Sequence, residues 1–82
     1  MYILILEVIN VYINSPYWEE RRRKQSLKRS KKEFDRLSDA ISQAYRSFNS
    51  TADPVQMDAC IYEINALRVK RESVLREIRK LE

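Results

Sequence analysis

The chain contains no glycine, and that absence limits its fold more than any other single feature. Tight hairpin turns and left-handed cap positions require positive φ, which glycine alone adopts without steric cost. With Pro16 and Pro54 as the only prolines, a sheet built on many tight turns is poorly supplied. Long helices are favoured by elimination. Eighty-two residues make one domain at most, and a chain of this size buries only about 60% of its unfolded surface. A single marginal core is therefore expected, and self-association is a natural way to add stability.

Periodicity supports the helical reading. From Leu27 onward apolar residues recur every seven, at Leu27, Phe34, Ile41 and Phe48, with Leu37 and Ala44 at the intermediate positions and Ser30 the one polar member. This is the pattern of a helix packing on another helix. It stops at Asn49-Ser50-Thr51-Ala52-Asp53-Pro54, where Asp53 is a good N-cap and Pro54 suits a first helical position that needs no N–H. A second stripe follows: Met57, Cys60, Ile64, Leu67, Arg71, Val74, Ile78 and Leu81, flanked by Ile61 and Leu75. A helix from Pro54 to Glu82 would be roughly 43 Å long at 1.5 Å per residue.

A short linker should return the two helices antiparallel. Counting outward from the turn pairs Ala44 with Ile61, Ile41 with Ile64, Leu37 with Leu67, Phe34 with Arg71, and Leu27 with Ile78. Arg71 is the anomaly of the stripe. Its plainer reading is an alkyl stem that packs while the head reaches water; the sharper one is a guanidinium stacked on Phe34. The expected architecture is all-α: a coiled-coil-like antiparallel hairpin over residues 19–82, with helices at about 19–49 and 54–82 and a turn at 50–53. An additional apolar segment, residues 1–18, precedes it.

From Met1 to Asn14 that segment is apolar except for Glu7, Asn10 and Asn14, whose spacing puts them on one narrow helical face. Its β-branched content suits a strand equally well, so periodicity and propensity point in different directions. The aromatic pair Tyr17-Trp18 followed by Arg21-Arg22-Arg23-Lys24 has the form of a cytoplasmic membrane flank. The apolar run is nevertheless shorter than the roughly 20 residues of a span, and it contains Glu7. It has no basic residue before it and no small-residue cleavage site after it, unlike a secretory signal. A helix packed on the hairpin or on a second copy leads, ahead of an interfacial anchor, a strand or extension, and a misassigned start.

Charge is the other marked asymmetry. The net charge is +4, and eight of the twelve residues in 21–32 are basic: Arg21, Arg22, Arg23, Lys24, Lys28, Arg29, Lys31 and Lys32. In the antiparallel register they lie beside Arg76, Arg79 and Lys80, which concentrates positive charge at the open end of the hairpin. A solvated face is the default for such a run. The functional alternative is binding of nucleic-acid phosphates or an anionic membrane surface, by counterion release and Coulomb attraction. No nucleic-acid motif accompanies it.

No enzyme or cofactor site is expected. The chain has no histidine and one cysteine, which removes an internal disulfide and a Cys/His zinc site. It lacks a glycine-rich phosphate loop and an activated nucleophile. Cys60 falls on the apolar stripe, where it reads as a small hydrophobe. Asp53 and Asp58 read as residues complementing the helix dipole.

Phe48-Asn49, Asp53-Pro54, Asp58, Ile61-Tyr62-Glu63-Ile64-Asn65-Ala66 and Leu75 together resemble the YaaL-like family of small uncharacterised proteins from Gram-positive, mostly spore-forming bacteria. The resemblance covers residues 45–80. Where family members carry Arg-Tyr and a further aromatic before paired leucines, this chain has Lys70-Arg71, Ser73 and Val74-Leu75. What the resemblance implies is a short intracellular helical protein with no active residues to transfer. A weaker likeness links Ile61-Tyr62-Glu63-Ile64-Asn65 to the Ser-Gln-Glu-Leu-Asp signature of helical-hairpin phosphatases acting on response-regulator aspartates, displaced by one residue and with Asn65 in place of the aspartate.

The sequence therefore reads as a non-enzymatic, cytoplasmic helical hairpin, peripheral to a membrane if residues 1–18 insert. It would bind another protein or itself, with no small-molecule substrate. An anionic-surface binder and a hairpin phosphatase are the alternatives.

Overall fold

The structure, a computed structural model, describes residues 16–82. The expectations for residues 1–15, including helix against strand, lie outside the described residues. Two helices make up the rest: α1 (Pro16–Ser50) and α2 (Pro54–Leu81), packed against each other as a hairpin. Among the described residues there is no strand.

α1 begins earlier than expected. Pro16, Tyr17 and Trp18, assigned by composition to the apolar segment, form its first turn. Proline at the start of a helix sacrifices no hydrogen bond and arrives with φ already helical, so the change in composition at residue 19 does not coincide with a change in backbone. The break between the helices falls at Thr51, Ala52 and Asp53. Asp53 adopts extended backbone angles (φ −83°, ψ 119°) and its Oδ1 accepts from the Val55 N–H at 3.0 Å. The Thr51 hydroxyl accepts from the Asp53 N–H at 3.2 Å, and the Met57 N–H donates to the Asp53 carbonyl at 2.9 Å. No described residue has positive φ. The turn is thus made from polar side chains in ordinary backbone conformations, which suits a chain without glycine.

The core is one seam. Leu37, Ile41 and Ala44 of α1 and Cys60, Ile64 and Ile78 of α2 are buried, with Leu37 only 1% exposed. Leu27, Phe34, Phe48, Met57, Leu67, Arg71, Val74, Leu75 and Leu81 are half-buried along its margins. Ile61 departs from expectation. It is 43% exposed, because a single neighbouring helix covers only one arc of α2 and Ile61 lies at the edge of that arc. Before Leu37, α1 has no fully buried residue, so packing is loosest through the basic stretch.

Two contacts far apart fix the register. The Arg71 guanidinium carbon lies 5.9 Å from the Phe34 ring centroid, and the Arg23 guanidinium donates to the Leu81 carbonyl oxygen. They are separated by eleven residues along α1 and ten along α2, as an antiparallel pair of straight helices requires. The same offset puts Ile41 opposite Ile64. Arg71 combines the two sequence readings: its side chain is half-buried and its head sits over the aromatic ring.

Truncating the best-buried side chain should destabilise the hairpin heavily. Leu37→Ala is expected to cost about 2–5 kcal/mol, a large share of what so small a core supplies, and chemical denaturation followed by circular dichroism measures it.

Candidate functional site: the basic open end

The register places residues 21–32 of α1 beside the last turns of α2. Residues 19–36 and 70–82 carry fourteen basic side chains against seven acidic ones, whereas residues 37–69 carry two (Arg46, Arg68) against four (Asp39, Asp53, Asp58, Glu63). The rod is electrically polar: its open end is positive and its turn end is slightly negative.

Not all of the expected anion-binding residues remain available. Arg23 is half-buried and ties two groups together. Its Nη1 donates to the Leu81 carbonyl, while Nε and Nη2 engage both oxygens of Glu20. The bound carbonyl belongs to the last turn of α2, where no intrahelical donor exists, so Arg23 is a C-terminal cap supplied by the other helix. Lys24 lies 4.0 Å from Glu20, and Lys31 lies 3.6 Å from Glu82. Arg21 packs over Trp18 at 5.6 Å from the ring centroid, and Tyr17 meets the same ring edge-on at 5.5 Å.

The remaining cations form a collar. Among the described residues, Arg22, Lys28, Arg29 and Lys32 are exposed with no carboxylate in ion-pair range, as are Arg76 and Arg79 on α2. At 100° per residue, Arg22 and Arg29 project to one side of the seam, Lys24 and Lys31 to the other, and Arg21, Lys28 and Lys32 away from it. An open groove of about 490 Å³ runs beside this collar between the two helices, lined by Arg29, Ser30, Lys32 and Arg36 with Val74 at the far wall. Glu33 and Glu77 also border it, paired with Arg36 and Lys80 respectively.

The carboxyls of Glu20 and Glu33 are held below their ordinary value, chiefly by hydrogen bonds from Arg23 and Arg36. The same bonds raise the two guanidinium values. These pairs are exposed, so solvent screens them strongly.

Elsewhere the described residues offer little chemistry. No group of three or more His, Cys, Asp or Glu side chains could hold a metal, and Cys60 is buried and unpaired. Asn65, which takes the aspartate position of the phosphatase-like stretch, lines a small groove of about 140 Å³ with Tyr45, Phe48, Ile61, Ile64 and Arg68. No helix among the described residues is long and apolar enough to cross a membrane. Comparison of the chain with protein-family models, curated proteins and solved structures gives no match.

Sequence reasoning placed Arg23 among the anion-binding cations and did not assign it the capping role. The signal that was present is its position three residues after Glu20 and on the seam side of the helix, seven residues before Ser30. Arg23→Ala should fray the end of α2 selectively, raising amide hydrogen exchange at residues 79–82 while leaving Leu37 and Ile64 protected. Because Glu20 is depressed in the folded state, its contribution to this latch is present above the ordinary carboxylate value of about 4.3. It is lost as pH falls through the lowered value, so acid should loosen the same turn first.

Proposed function

We propose that this protein is a non-enzymatic binding module in which the hairpin serves as a rigid carrier and its basic end engages the phosphate backbone of nucleic acid, through charge and not base sequence. The observation that carries this reading is the collar of exposed cations at one end of the rod that have no ion-pair partner among the described residues. Each cation brought against a phosphate releases condensed counterions, which is the main source of sequence-independent affinity.

Two features favour this over the alternatives weighed from the sequence. The matched apolar stripes that argued for a protein partner are occupied by one another within the hairpin. They no longer call for an external helix. An interfacial membrane helix needs an exposed apolar face beside its basic one. In residues 21–32 the one apolar side chain is Leu27, which lies on the seam toward α2. A collar that extends around the solvent side of a helix suits a groove with phosphates on both walls better than a flat lipid surface.

The test is binding of labelled duplex DNA followed by fluorescence anisotropy over a salt series. Affinity should fall linearly with the logarithm of salt, with a loss of roughly 0.9 in slope for each phosphate contact removed. Replacing Arg22, Lys28, Arg29 and Lys32 together by Gln should thus lower the slope by about three to four. Unchanged affinity in that variant, or binding to anionic vesicles with none to DNA at the same salt, would sink the reading.

A further inference from the structure

Three aromatic side chains are exposed among the described residues: Tyr17 at 65%, Tyr45 at 45% and Tyr62 at 76%. Tyr45 and Tyr62 stand in the turn half, where acidic side chains outnumber basic ones. Tyr17 alone stands at the basic end. At 100° per residue, Tyr17, Arg21, Lys24 and Lys28 fall within an arc of about 60°, along about 17 Å of α1. All four are exposed, so an aromatic ring lies in line with three cations on one helix face. Attraction of phosphate uses the cations and has no use for the ring.

Tyr17 is also braced. The Trp18 ring lies at 80° to it with centroids 5.5 Å apart, and the Arg21 guanidinium carbon sits 5.6 Å from the Trp18 centroid. A ring already held by its neighbours loses little further freedom when another flat group stacks on it.

The ligand that uses both parts of this face has flat rings linked by phosphates and free to leave their own stack. We infer that the basic end of α1 prefers single-stranded nucleic acid, with one base stacked on Tyr17 and the neighbouring phosphates on Arg21, Lys24 and Lys28. This rests on the nucleic-acid reading above and narrows its ligand class. In a duplex each base is already stacked on its neighbours and offers only its edges, so the ring gains nothing there. A lipid interface calls for an apolar face along the helix, yet every residue that follows Tyr17 on this face is a cation. Stacking accepts any base, because every base has a π-face, which agrees with binding that ignores sequence. Lys24 lies 4.0 Å from Glu20, where a phosphate competes with a carboxylate, so Arg21 and Lys28 carry the stronger contacts.

The test uses the full chain and labelled oligothymidylate or oligouridylate of about 16 nucleotides, followed by fluorescence anisotropy over a salt series. Relaxed circular duplex DNA, which offers phosphates without an unpaired base, is the competitor. Tyr17→Ala should weaken binding of the single strands by about five- to 150-fold, as expected for one stacked base. It should leave the salt slope unchanged, because stacking releases no counterions. Tyr17→Phe should bind as the parent does, and competition by the duplex should be the same for all three proteins. Trp18 is the only tryptophan, and its emission should change on single-strand binding in the parent and not in Tyr17→Ala. Circular dichroism should show both variants helical, since Tyr17 is exposed in the first turn.

Single strands bound equally well by Tyr17→Ala overturn the inference. So does an equal loss on single strand and duplex. In both cases duplex binding persists in the parent and the phosphate reading stands. A parent that binds neither nucleic acid overturns both readings together. Binding to anionic vesicles that Tyr17→Ala weakens, with no effect of that variant on single strands, places the ring in a lipid interface and overturns the inference as well.

Discussion

Everything else in this molecule depends on the antiparallel packing of two apolar stripes across a turn made without glycine. The interior is small: among the described residues six apolar side chains are buried, three from each helix. Each methylene in that seam contributes about 0.8 kcal/mol. Helices of this kind draw most of their stability from tertiary packing and little from propensity, so neither is expected to be robust without the other. The turn is what directs the pairing. Asp53 satisfies an N–H at the head of α2, Pro54 needs none, and Thr51 steadies the approach.

Register converts this packing into a functional shape. Basic residues in 21–32 would be a dispersed run on an isolated helix. Folding sets them beside Arg76, Arg79 and Lys80 and leaves the acidic residues of the turn half at the far end. The same fold selects which cations stay available. Arg23 is drawn inward to cap α2, and Lys31 reaches Glu82, while Arg22, Lys28, Arg29 and Lys32 remain in solvent. Surface ion pairs in this cluster contribute little to stability individually. Their importance is in setting the direction of the molecule's field.

Much of the fold was legible beforehand, and the reasons are specific. Asp53-Pro54 is a start signal with a mechanism, and it marks the observed first turn of α2. Alternating steps of three and four from Met57 to Leu81 identify the inward face because burial and helical geometry impose the same period. The pairing of Phe34 with Arg71 followed from counting alone. Other features were not legible. Ile61 satisfies the same periodic rule as its neighbours, but how wide an arc is covered depends on the number of packed helices. The start of α1 was hidden because Pro16 can open a helix as readily as it can end an apolar run. Arg23 was counted as one cation among eight, since a cap supplied across the seam depends on the end-to-end offset of two helices.

The antiparallel register within one protomer is the claim to test most directly. Spin labels at the exposed positions Lys28 and Arg76, with labelled chains diluted into unlabelled protein, give the distance across the open end by pulsed EPR. The hairpin predicts a separation below about 30 Å, from helix axes about 8–10 Å apart and two outward-facing labels. A separation near 70 Å, the length of about 48 residues in one uninterrupted helix, would contradict it.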